Sequence, residues 1–138
     1  MNSDHETTLQ DALRSIFGEL VSDDIVTKRV PVGTTGTYVE PDAVVVSEDL
    51  VIEIESRTAK QIRGAIMDLL LSPQKKKLLI VRPNGDDVAG KKTHFEAVLA
   101  ARLRSDESSA VVLLAKEADP SADQDAIRQG LAQLGINV

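Results

Sequence analysis

The chain has no cysteine, no tryptophan and only three aromatic residues, Phe17, Tyr38 and Phe95, among 138. Without cysteine there is no disulfide, no thiolate metal site and no thiol nucleophile. Three aromatics are too few for the stacking platforms on which single-strand binders lay out bases. His94 has only His5 for company, which leaves a histidine metal site or a Ser-His triad unsupported. No apolar run approaches the roughly 20 residues of a membrane helix. The polar, acidic start MNSDHETTLQ has no basic lead and no apolar stretch behind it. No signal peptide and no membrane partner are therefore expected, and a cytoplasmic location is. What the chain does have is 42% hydrophobic and 28% charged residues, too apolar for disorder. Its length suits one α/β domain over residues 1–138, able to bury roughly two-thirds of its unfolded surface.

The net charge of −6 is unevenly spread. Residues 1–56 carry 3 basic and 12 acidic side chains, a balance of −9. Residues 57–104 carry 11 basic against 4 acidic, or +7, and residues 105–138 carry 2 against 6, or −4. The overall sign argues against a polyanionic partner, while the basic middle offers a local phosphate-binding face. An evenly mixed surface after folding is the competing expectation.

Apolar periodicity sets out the elements. Ser3 and Glu6 resemble a capping box, and Leu9, Ala12, Leu13, Ile16, Phe17, Leu20 and Val21 predict a helix over about 5–21. Residues 25–32 and 37–46 read as strands of a hairpin around Gly33-Thr34-Thr35-Gly36, and residues 51–55 as a third strand. Thr58–Leu71 predicts a helix stopped by Ser72-Pro73. Lys76–Arg82 predicts a buried strand, about 93–104 a helix, and Ala110–Lys116 another strand. Asp119-Pro120 opens a last helix that runs to about Leu134, with Gly135 as its stop. The order is α-βββ-α-β-α-β-α, with no repeat or linker to divide it.

The anomaly is carboxylates inside strands, where apolar residues are preferred and gathered charges are costly. Asp42 lies in the run VEPDAVVV, and Glu53 and Glu55 lie in VIEIES. If Val46 pairs with Val51, Val44 faces Glu53 and Asp42 faces Glu55. Residues at even separation share a face, so Asp42, Glu53 and Glu55 converge on one patch. Such a patch suits a hard divalent cation, Mg²⁺ or Mn²⁺. A one-residue slip in register would turn Asp42 away. The alternation Val51, Glu53, Glu55 against Ile52, Ile54 equally fits an amphipathic strand with its acids in solvent.

A helix, a hairpin whose second strand holds Pro41-Asp42, a strand with Glu53-Ile54-Glu55, and the helix–strand unit TAKQIRGAIMDLLLSPQKKKLLIV together resemble the PD-(D/E)xK nuclease superfamily. The likeness covers roughly residues 5–82. It implies a restriction-endonuclease-like α/β core with a mixed central sheet flanked by helices. It also implies metal-dependent hydrolysis of DNA phosphodiester bonds, with Asp42 and Glu53 as metal ligands. The third motif position is normally a Lys that helps activate the attacking water; here it is Glu55, as in a minority of restriction enzymes. Glu55 is then a third ligand or orients the water, and Lys60 on the next helix is a candidate for the displaced cation. Glu19 corresponds to a Glu that the family often carries on its first helix. Gln61 corresponds to the Gln that some exonuclease branches carry, although the Tyr expected four positions later is Ala65. The resemblance further implies DNA as partner and a homodimer or larger assembly.

Arg57, Lys60 and Arg63 follow the acidic strand and are candidates for phosphate contact, as ordinary helix solvation is for the same residues. Lys75-Lys76-Lys77 reads as a solvated start to its strand. Lys91-Lys92 follows a Gly-bearing loop that lacks the spacing of a P-loop. A rival to the nuclease expectation is a catalytically inactive relative, serving as a nucleic-acid-binding or protein-interaction module.

Overall fold

The computed structural model describes residues 4–17, 25–26, 30–32, 34, 36–56, 59–83 and 90–138. The elements are α1 (Asp4–Phe17), β1 (Ile25–Val26), β2 (Val30–Val32), β3 (Thr37–Val39), β4 (Ala43–Val45), a 3-10 turn (Val46–Glu48), β5 (Leu50–Glu55), α2 (Ala59–Leu71), β6 (Lys76–Val81), α3 (Lys92–Ala100), β7 (Ser108–Leu113) and α4 (Pro120–Gln133). The fold is mixed α/β. Four longer strands and the two-residue β1 form one sheet in the order β1-β4-β5-β6-β7, and β2-β3 form a separate ribbon. β1, β4 and β5 run antiparallel, and β5, β6 and β7 run parallel through the crossovers of α2 and α3.

Side-chain alternation explains why helices cover both faces. Leu50, Ile52 and Ile54 of β5, with Ala43, Val45, Leu78, Ile80, Ala110 and Val112, face Leu9 and Leu13 of α1 and Ile127 and Leu131 of α4. Val51, with Val44, Leu79, Val81 and Val111, faces Ile62, Ala65, Ile66 and Leu69 of α2 and Phe95 and Leu99 of α3. β5 and β6 are the central strands and are buried almost throughout, as parallel strands covered on both sides must be. On the α4 side the layers approach closely at Gly130, where a Cβ would stand 2.3 Å from Val112 Cγ2. Asp119 caps α4 by accepting from the Ser121 and Ala122 N–H groups, and Gly135, at φ 78°, ends it.

Three expectations need correction. The first hairpin is not one ladder: β2 pairs with β3 in the register Val30↔Val39, whereas β1 pairs with β4 in the register Val26↔Val44. The two ladders are offset by one residue, with Glu40-Pro41-Asp42 on the longer side; Pro41 has no N–H to donate, so pairing stops there. The second correction is the next turn. Val46 leaves the strand for the 3-10 turn, Asp49 takes a left-handed conformation at φ 52°, and Val45 pairs with Leu50. The last strand also begins two residues earlier, at Ser108, and ends at Leu113, because it tracks β6 residue for residue.

Candidate active site

The corrected turn shifts the β4–β5 pairing by two residues, an even number, so the faces are kept. Continued by one residue beyond Ala43↔Ile52, the register sets Asp42 opposite Glu53 rather than Glu55. Asp42 sits just after Pro41, where its side chain turns into the adjoining strand. The Ile54 N–H donates to Asp42 Oδ2 at 2.7 Å. That bond fixes Asp42 on the rim of a cleft of about 440 Å³, lined by Glu40, Asp42, Glu53, Ile54, Glu55, Gln61, Gly64, Ala65 and Asp68. The sheet forms its floor and α2 its wall.

Glu53 is the deepest acid in the cleft, 5% exposed. Its carboxyl lies within hydrogen-bonding range of Asp42 and Asp68, and Oε1 is buried without a hydrogen-bond partner among the described residues. Burial, reinforced by those two acids, pushes the Glu53 carboxyl from its ordinary 4.5 up to about 11. The Glu53 carboxyl therefore holds a proton at neutral pH. Glu55, two residues along the same face, is 7% exposed, and its Oε1 accepts from the Ser56 N–H at 3.0 Å. The expectation of a solvent-facing acidic strand does not hold, since both residues are buried.

No family profile, curated protein or solved structure matches the chain.

The other candidates are placed unevenly. Gln61 lines the cleft, and Arg63 is exposed on α2 outside its lining. Glu19 and Arg57 lie outside the described residues, and Lys60 is described only as a helical position. Lys77 is not solvated but fully buried; its Nζ donates to the Ser72 and Gln74 carbonyls at 2.8 and 2.7 Å and lies 3.4 Å from Glu107. Burial pulls its ammonium below the ordinary 10.5. Lys75 and Lys76 sit 3.2 Å from Asp106 and 3.7 Å from Glu48. Much of the basic middle is thus matched to acids brought from elsewhere in the chain. Lys91 sits at the start of α3, and His94 is exposed, tilted against Phe95.

Besides the exposed Glu40, the cleft acid that sequence reasoning missed is Asp68. The signal was there: it is the only acid within α2 and stands seven residues, two turns, after Gln61.

The donor set is all carboxylate oxygen, the chemistry of hard divalent cations, and a buried oxygen without a donor is the kind of group an ion satisfies. Among the described residues, no three His, Cys, Asp or Glu side chains stand arranged as direct ligands of one ion. Mg²⁺ commonly takes only one or two carboxylates from a protein and keeps several waters. Asp42 and Glu53 meet that requirement.

Proposed function

We propose that this chain is a restriction-endonuclease-like domain that binds Mg²⁺ or Mn²⁺ in the cleft and hydrolyses DNA phosphodiester bonds. The observation that carries the reading is the meeting of Asp42 and Glu53 on one face, with Glu53 Oε1 buried and without a hydrogen-bond partner among the described residues. The element order and the antiparallel–parallel sheet support it, because they bring the PD dipeptide that precedes β4 beside the acidic motif of β5.

In this reading Asp42 and Glu53 hold the cation, which when bound neutralises charge on the phosphoryl oxygens and acidifies a water. Asp42 is kept in place by the Ile54 N–H, so its carboxylate needs no reorganisation when the ion arrives. Glu53 gives up its proton on binding. Glu55 is oriented by the Ser56 N–H and accepts the proton of the attacking water, standing where a Lys is more usual. Arg57, Lys60 and Arg63 supply contacts to DNA phosphates.

Supercoiled plasmid and branched DNA incubated with the protein and Mg²⁺ or Mn²⁺ test the reading. Wild type is expected to nick, and Asp42→Ala and Glu53→Ala to lose about 100-fold or more of the rate, about 3 kcal/mol. Absence of nicking on every substrate, or cutting by both variants at the wild-type rate, rejects it. One observation favours the inactive-module reading: no Lys or Arg is among the described residues of the cleft. That reading expects salt-dependent DNA affinity that weakens in Arg57→Ala and Lys60→Ala, with no cleavage and no need for metal.

A further inference from the structure

Asp42 and Glu53 approach from the sheet, but the cleft has a second wall. α2 runs over β5 and presents Gln61, Gly64, Ala65 and Asp68 to the cavity. Three of these are uncharged, so Asp68 is the only charge that the described part of this wall contributes. It stands within hydrogen-bonding range of Glu53, as Asp42 does from the sheet. An acid on a half-buried helical face beside two others is repelled by them once they ionise. Ala65 and Leu69, its neighbours on α2, are already buried against the sheet.

The independent sign of a ligand is Glu53, a lining residue of the cleft whose Oε1 is buried and without a hydrogen-bond partner among the described residues. A cation at the Glu53 carboxyl would have Asp42 of the sheet side and Asp68 of α2 within reach. The three acids are not disposed as three direct ligands, so one of them must reach the ion through its water shell, as acids commonly do around Mg²⁺.

We propose that Asp68 is a cation-binding residue: with Asp42 and Glu53 it holds a hydrated divalent cation between β5 and α2, bonding to water of the ion's shell. Helix α2 then forms part of the metal site rather than a passive cover. The inference rests on the cation site proposed above, but it concerns binding and does not depend on cleavage.

Calorimetric titration of the full chain with MnCl₂ tests it, comparing wild type, Asp68→Asn, and Asp125→Asn as an exposed acidic control on α4. Circular dichroism confirms that each variant is folded. Asn keeps the size and hydrogen-bonding capacity of Asp, so a residue that only steadied Glu53 would survive the change. Wild type is expected to take up Mn²⁺, Asp68→Asn to bind 10- to 100-fold more weakly, in the range usual for outer-shell partners, and Asp125→Asn to match wild type. Binding by Asp68→Asn within twofold of wild type overturns the role of Asp68 and leaves Asp42 and Glu53 standing. Equal weakening in Asp125→Asn also overturns it, as an effect of overall charge. No uptake by wild type overturns both this inference and the cation site itself.

Discussion

Two kinds of buried charge share one sheet. At the end of β6, Arg82 reaches across to α4. Its Nη1 donates to Asp123 Oδ1 at 3.2 Å, its Nη2 contacts Asp123 Oδ2, and Nη1 also donates to the Ala115 carbonyl at 2.7 Å. Arg82 and Asp123 are 7% and 2% exposed, close to the 5% of Glu53. Yet Arg82 and Asp123 form a two-pronged pair, while the ionisable neighbours of Glu53 among the described residues are the acids Asp42 and Asp68. The difference teaches how to tell a clamp from a site. A buried charge that meets its counter-charge within the fold has been used to hold elements together, here β6 and the segment after β7 to α4. A buried acid gathered with other acids costs stability when it ionises, and groups so perturbed cluster at functional sites.

The sharpest way to break this contrast is to remove one half of the clamp. Asp123→Ala strands Arg82 in the interior, and is expected to destabilise the fold by about 3–5 kcal/mol in urea or guanidinium unfolding. Replacing both residues by apolar ones of similar size, Arg82→Met with Asp123→Leu, is expected to recover most of that loss. If Asp123→Ala unfolds at the wild-type denaturant midpoint, the pair is not a clamp and the contrast fails.

The opposite change belongs in the cleft, and its sign is reversed. The Glu53 carboxyl is raised from 4.5 to about 11, so folding takes up a proton anywhere between those values. Its contribution is most favourable below pH 4.5 and is lost as pH rises towards 11. Each pH unit in that window costs about 1.4 kcal/mol. Glu53→Gln has no proton to take up, so it is expected to match wild type at pH 4 and to exceed it by about 3 kcal/mol at pH 7. Saturating Mn²⁺ should narrow the gap by stabilising the ionised wild-type carboxylate. Unfolding curves for both proteins at pH 4, 5.5 and 7 check the slope. A Glu53→Gln variant less stable than wild type at pH 7 would place Glu53 with the structural charges.

What could be read beforehand divides along the same line. The face shared by Asp42, Glu53 and Glu55 was legible because strand parity is local: Leu50, Ile52 and Ile54 are apolar, and the acids fall between them. The partner of Asp42 was not legible, since it depends on whether Val46 belongs to the strand or the turn, and a left-handed Asp49 decided that. The error happened to be an even number of residues, so the patch survived it. The element order could be read because each helix and strand carries its own period. The pairings of Arg82 with Asp123, 41 residues away, and of Lys77 with Glu107 could not, because tertiary packing alone brings them together. Asp68 lay between: its helical phase with Gln61 was visible, but its height above Glu53 depends on how α2 crosses β5.

The smallest effect is expected where charge is paired but wet. Lys75 and Asp106 are 3.2 Å apart, each more than half exposed, at the same end of the sheet as buried Lys77. The Lys75 ammonium holds the Asp106 carboxyl below its ordinary value, yet water serves either partner nearly as well once the other is gone. Lys75→Ala is therefore expected to leave the melting temperature and its salt dependence unchanged. Two residues on, Lys77→Met removes the donor to the Ser72 and Gln74 carbonyls and is expected to cost about 1–3 kcal/mol. The two lysines differ in burial and not in charge. If thermal melts rank Lys75→Ala as the more damaging, then the sign of a charge and its neighbours, rather than its separation from water, govern this fold, and the distinction between clamp and site loses its basis.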